Sequence, residues 1–232
     1  MTISFYLNEG RIVPDVAKVR RVLDRLRKEV VWKKPPTRSI LTRKYIFPHS
    51  PKSLISLLNA SFAKMSIKFV YDKHAPSETH GEHVIEGINA YLDPSTLKIT
   101  VEIGPWHLYN LMDPEEFDNV VNAFVSMIGH EFIHLEQLNR QLIKIGIKAT
   151  SSEDIVAYLS NPMEIQSYAW QIVNDLQDLR LSKKEALTTI KNQNKLAQTS
   201  TIFNLYLEMF KDTFVLKNLL KRIYQYVEEV YI

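Results

Sequence analysis

The sequence predicts an α+β fold, with a small, mostly antiparallel sheet packed on one central buried helix and a helical C-terminal part. Three observations carry this. Short β-rich runs between residues 66 and 103 are bounded by turn residues. The stretch from Phe117 to Leu142 is apolar over most of a helix circumference. After Asn161, helix caps recur together with a helical hydrophobic period. A chain of 232 residues, 45% hydrophobic and 24% charged, suits a single domain able to bury a sizeable core. Its expected parts are a basic N-terminal helix and connector over 1–47, a core over 48–180 and C-terminal helices over 181–232.

Taken in order, a first helix is expected near Val16 to Val30, with Val19, Val22, Leu23 and Leu26 as its apolar stripe. Lys33-Lys34-Pro35-Pro36 ends it and opens an irregular connector to Pro48. Ser50-Pro51 starts a short helix to about Ala63. Ser66 to Tyr71, Val84 to Leu92 and Leu97 to Ile103 read as strands, with Asp93-Pro94-Ser95-Thr96 as the turn between the last two. Asp113-Pro114-Glu115-Glu116 combines an N-cap, a proline at the first helical position and a glutamate at the third, so the central helix should start there. A turn is expected near Gly146, and Asn161-Pro162 then caps and opens the next helix. Ser182-Lys183-Lys184-Glu185 forms another capping box. The tail from Thr199 to Ile232 reads as one or two amphipathic helices, with Leu216, Leu219, Leu220, Ile223, Val227 and Val230 on one face.

Inside the central helix lies His130-Glu131-Phe132-Ile133-His134. Four helical residues place the two histidines about 40° apart around the axis and about 6 Å apart along it, so both imidazoles can reach one ion. Glu131, rotated by about 100°, can touch a metal-bound water without displacing either ligand. A buried histidine pair and carboxylate are costly without a partner, and a metal supplies one. The competing reading is a pair of core histidines bonded to backbone carbonyls.

Residues 127 to 135, Met-Ile-Gly-His-Glu-Phe-Ile-His-Leu, resemble the active-site helix of the zincin metallopeptidases. The positions between and beside the histidines are uncharged there, as Gly129, Phe132, Ile133 and Leu135 are here; Glu136 departs from the pattern, where a hydrophobic residue is usual. The resemblance implies a zinc-dependent peptidase in which His130 and His134 bind Zn2+ and Glu131 serves as general base and then acid. It is similar to small HExxH-plus-Glu peptidase-like proteins of bacterial and phage genomes, and the resemblance covers about residues 85 to 175. In zincins the strand nearest the cleft binds the substrate backbone by strand addition, which points to Leu97 to Ile103 or its hairpin partner.

A catalytic zinc site normally uses three protein ligands. No histidine follows His134, and Gln137 and Arg140 stand where the metzincin pattern has glycine and histidine. The third ligand is therefore expected to be a carboxylate, as in the gluzincin type. Glu164, in the first turn after Asn161-Pro162, is the leading candidate; a pure capping role for it, or Glu153 or Asp154 as ligand, are the alternatives. The gluzincin helix often carries Glu-x-x-Ser/Ala-Asp: Glu164 and Ser167 match, while Tyr168 replaces the aspartate. Tyr168, Tyr158 and His107 are candidates for stabilising an oxyanion, against readings of core tyrosines and a structural histidine. His74, His80 and His83 read as a polar surface loop, and His49 beside Pro48 as part of a turn.

Composition narrows the partners. The absence of cysteine excludes disulfides and thiolate metal sites and fits a reducing compartment. Met1 to Gly10 lacks the basic start and apolar core of a signal peptide, and no apolar run reaches transmembrane length, so a cytoplasmic protein without membrane contact is expected. Residues 1 to 44 hold twelve Lys/Arg against four Asp/Glu, a net +8, which leaves −5 for the rest of a chain whose net charge is +3. Lys18, Arg20, Arg21, Arg25, Arg27 and Lys28 make the first helix either a solvated helix on its own acidic domain or a surface for nucleic acid or another acidic partner. The expected partner is a peptide or protein substrate. Two rivals are a non-catalytic, metal-stabilised zincin-fold scaffold and a protease tethered to nucleic acid through the basic segment. The oligomeric state is not legible.

Overall fold

The computed structural model describes residues 14–30, 37–38, 45–46, 50–72, 88–112, 116–140 and 152–231. By packing, the chain divides into two compact units, 15–131 and 1–14 with 132–232. The division falls inside one continuous helix.

In the first unit, α1 (Ala17–Val30) buries Val19, Leu23 and Leu26 of the expected stripe, with Val22 half-buried. Its basic residues are partly committed to its own unit: Arg20 donates to Asn122 Oδ1 over 2.8 Å, and Arg27 pairs with Asp118 over 3.0 Å while lying 5.1 Å from the Phe117 ring centre. The expected irregular connector contains a two-residue antiparallel pairing, β1 (Thr37–Arg38) with β2 (Tyr45–Ile46). Helix α2 (Pro51–Phe62) begins as expected at Ser50, whose hydroxyl accepts from Ser53 N–H, with Pro51 at the first helical position. It runs into one 3-10 turn, and Ser66, with φ of 56°, turns the chain into β3 (Ile67–Tyr71).

The sheet is mixed, correcting the expectation that it is mostly antiparallel. Its order is β3-β5-β4, with β4 (Ile88–Asp93) antiparallel to β5 (Lys98–Ile103) and β3 parallel to β5. The tight Asp93 turn forces β4 and β5 to be antiparallel, whereas β3 is reached by a long connection and is free to run alongside β5. In that turn Asp93 accepts from Ser95 N–H and the Ser95 and Thr96 hydroxyls, which holds its carboxyl down at about 2. Being central, β5 has no open edge. The outer edge of β3 is occupied at Phe69, whose N–H and C=O both bond the Asn59 side chain of α2, at 2.7 and 2.9 Å. The Phe69 ring in turn packs on Phe62 and Phe124.

An unexpected helix, α3 (Pro105–Met112), follows β5 and carries His107, which is buried. Helix α4 (Phe117–Asn139) is the central helix, with Phe117, Val120, Phe124, Val125, Ile128 and Ile133 in the core. It starts at Phe117, with Val120 N–H bonded to Glu116 C=O, a few residues later than the expected cap; Asp113 to Glu115 lie outside the described residues. So do Leu142, Gly146, His49, His74, His80, His83 and the run Lys33 to Pro36.

The second unit is helical: α5 (Ser152–Leu159), α6 (Pro162–Asp178), α7 (Lys183–Lys191), α8 (Gln193–Thr199), α9 (Thr201–Phe210) and α10 (Phe214–Val230). Helix α6 is buried on almost every side and packs along α10, which presents Leu216, Leu219, Ile223, Tyr226 and Val227. The Ser182 capping box forms as expected at the start of α7. The short α8, between two caps at Asn192 and Ser200, is an addition to the expected order. Among the described residues no helix is long and apolar enough to cross a membrane.

Candidate metal centre

The site is built on α4 and the first turn of α6. His130 is buried and His134 half-buried, one helical turn apart on the same face of α4. Asn161 caps α6 as the sequence implies, its Oδ1 accepting from Met163 N–H over 3.0 Å, with Pro162 at the first helical position. Glu164 could have been the return half of a capping box, but the N–H such a box needs is taken: Asn161 N–H donates to Tyr158 C=O over 3.0 Å. The buried Glu164 carboxylate instead faces the histidine, with Oε2 3.3 Å from His134 Nε2.

One ligand atom each from His130, His134 and Glu164 lies within 4.8 Å of the others. These residues fit a metal ion. Two imidazole nitrogens and one carboxylate oxygen are a donor set suited to zinc, and ligand bonds of about 2.0–2.1 Å in a tetrahedron put neighbouring ligand atoms about 3.3 Å apart. The His134–Glu164 separation of 3.3 Å is compatible with that edge, while the group as a whole spans up to 4.8 Å, so the ligands would draw together around an ion.

Compared with known proteins, the chain matches no family model, no curated protein and no solved structure. The reading of this group therefore rests on its own chemistry.

Two hydrogen-bonded systems surround the group. On the α4 side, His134 Nδ1 lies 2.8 Å from Gln137 Oε1, while Gln137 Nε2 donates to Gln166 Oε1 over 3.0 Å and to Met163 C=O over 3.3 Å. On the α6 side, the Tyr158 hydroxyl bonds Glu164 and Tyr168; burial first, then the neighbouring Tyr168 and Glu164, push its pKa far up and keep it a protonated donor. The Tyr158 and Tyr168 rings meet edge-on at 6.5 Å, and Tyr168 meets Tyr206 at 5.8 Å. Tyr206 itself is anchored by its hydroxyl to Leu159 C=O over 2.8 Å.

Glu131 is outside the ligand group. Its Oε2 accepts a 2.9 Å hydrogen bond from the backbone N–H of Leu92 in β4. That N–H points away from β5, so the motif glutamate sits at the outer edge of β4, which no other described strand pairs.

Of the residues singled out in the sequence, His130, His134 and Glu164 come together, and Tyr168 and Tyr158 lie beside Glu164. His107 is buried in α3 and is not among the three grouped residues. Glu153 and Asp154 fall at the start of α5, and their side chains lie outside the described residues. Gln137 was noted in the sequence only as a departure from another pattern. Its spacing of three from His134 on one helix was the available signal that the two side chains meet.

Proposed function

We propose that this protein is a zinc-dependent peptidase of the zincin type, with His130, His134 and Glu164 as metal ligands and Glu131 as general base and acid. The observation that carries this reading is the convergence of His130, His134 and Glu164 to within 4.8 Å, with Glu131 of the same motif held outside the ligand group.

Two neutral imidazoles and one carboxylate leave a bound dication with net positive charge. A zinc ion held by His130, His134 and Glu164 would polarise a carbonyl and lower the pKa of a bound water toward about 7. Glu131 accepts the proton of the attacking water as its oxygen bonds to the scissile carbon. It then returns that proton to the amine nitrogen as the C–N bond breaks. Leu92 N–H orients the carboxylate for this transfer without being able to accept the proton itself. The Tyr158 hydroxyl is committed to Glu164 and holds that carboxylate in place, which leaves Tyr168 as the tyrosine assigned to the developing oxyanion.

Strand addition of the peptide falls to β4 rather than β5. β5 is paired on both sides, whereas among the described residues no strand pairs with the outer edge of β4, where Leu92 N–H bonds the Glu131 carboxylate. The basic residues of α1 support a packed helix more than a nucleic-acid surface, because Arg20 and Arg27 are bonded to α4.

The test is elemental analysis of the purified chain combined with cleavage of a diverse peptide library, using chelator-treated protein as the blank. About one zinc per chain and cleavage above the blank are expected. Stoichiometric zinc without cleavage would replace this reading with a metal-stabilised scaffold, and no metal at all would remove both.

A further inference from the structure

We propose that Gln137 is the positioning residue of this centre: its single amide sets which nitrogen of His134 faces Glu164 and holds the helix turn that carries Glu164. The proposal rests on reading His130, His134 and Glu164 as a metal site.

Gln137 is fully buried on α4, three residues after His134. Its two amide ends meet different chemistry. On one side lie two acceptors on α6, Gln166 Oε1 at 3.0 Å and Met163 C=O at 3.3 Å; on the other lies His134 Nδ1 at 2.8 Å. The reverse orientation would set Gln137 Oε1 against the Met163 carbonyl oxygen, which cannot donate. The amide nitrogen therefore faces α6 and the amide oxygen faces the ring.

A carbonyl oxygen only accepts, so His134 Nδ1 must carry a proton. In the neutral ring the lone pair then lies on Nε2, the atom 3.3 Å from Glu164 Oε2. Without Gln137 the ring is free to move its proton to Nε2. There it would bond the Glu164 carboxylate directly, and the two side chains would pair with each other instead of sharing a cation.

The same amide also acts on Glu164. Met163 and Gln166 flank Glu164 in the first turn of α6, so the two bonds from Gln137 Nε2 fix that turn against the helix of the histidine. One buried side chain thus orders two of the three ligands, the arrangement by which outer partners tune metal sites.

The experiment uses the full chain with Gln137→Met, which keeps the volume but removes both acceptor and donor, and Gln166→Met, which removes only a far partner. Zinc affinity is read by competition with a chelator. The proton on His134 Nδ1 is read by long-range 1H–15N spectra and its exchange with solvent, in zinc-loaded and metal-free protein. The expected results are a protected Nδ1 proton in wild type, its loss of protection in Gln137→Met with zinc binding weakened about 10- to 100-fold, and a retained Nδ1 proton in Gln166→Met. A folded Gln137→Met with wild-type zinc affinity and a still-protected Nδ1 proton overturns the proposal. So does a wild-type spectrum in which Nδ1 is bare, whether or not either variant folds. A wild type that binds no zinc removes the metal site itself, a different failure, and the metal-free spectra still decide whether Gln137 sets the proton.

Discussion

The backbone N–H of Leu92 reaches across 39 residues of sequence to donate a 2.9 Å hydrogen bond to Glu131 Oε2, joining strand β4 to the glutamate of the motif. The bond fixes the carboxylate by an interaction that an amide oxygen can also accept. Glu131→Gln should therefore keep the fold and the zinc content while peptide hydrolysis falls by about 100-fold or more, because the amide cannot take the proton. Circular dichroism, elemental analysis and library cleavage check the three parts. A variant that cleaves as fast as wild type rules out Glu131 as the base.

The proposed ligands are tested by removing them one at a time. His130→Ala and His134→Ala should each abolish stoichiometric zinc, since each takes one nitrogen from a group only 4.8 Å across. Glu164→Gln should lower zinc affinity strongly, whereas a residue that merely capped α6 would change stability by roughly 1 kcal/mol and leave affinity alone. Chelator competition on the three variants separates these outcomes. Unchanged affinity in Glu164→Gln would point to another carboxylate, such as Glu153 or Asp154.

What the sequence made legible was local. Asn161 with Met163, Ser182 with Glu185 and Ser50 with Ser53 are side-chain-to-backbone bonds spanning two or three residues, so residue type and spacing suffice to see them. The histidine pair is legible for the same reason, since a helix fixes the four-residue spacing. Gln137 to Gln166 spans 29 residues and Leu92 to Glu131 spans 39, and no local pattern encodes such meetings. Pairing direction was hidden likewise: the Asp93 turn announces the β4–β5 hairpin, but nothing in Ile67 to Tyr71 says that β3 will lie parallel to β5. Helix α3, only eight residues long from Pro105, has too short a hydrophobic period to stand out between strand β5 and the motif helix.

Asn59 stands in for a neighbouring strand, giving Phe69 both a donor and an acceptor at 2.9 and 2.7 Å. Asn59→Ala removes both partners from one backbone position, and part-buried groups left unsatisfied cost about 1–3 kcal/mol. Asn59→Asp keeps the acceptor but loses the donor and should recover only part of that loss. Denaturant melts measure the order wild type, Asp, Ala. Equal stability of Ala and wild type would mean that β3 needs no edge partner there.

Asp175 on α6 accepts a 2.7 Å hydrogen bond from the hydroxyl of Ser200, the residue that caps α9, and sits beside Asp178. Burial, reinforced by the Asp178 charge and opposed by the Ser200 bond, raises the Asp175 pKa from 3.8 to about 7. Between those two values the folded chain binds more protons at this group than the unfolded chain does, so this term's stability is complete below about pH 4 and is lost as the pH rises through about 7. Asp175→Asn removes the charge and keeps an oxygen for Ser200. It should flatten the pH dependence from this group and raise the melting temperature above pH 7 by about 3 °C for each kcal/mol gained, with little or no gain near pH 4. Melting curves of the metal-free wild type and variant, taken in parallel at about pH 4 and pH 8, make the comparison. A variant less stable than wild type at pH 8 would show that the ionised Asp175–Ser200 bond outweighs the desolvation of the carboxylate.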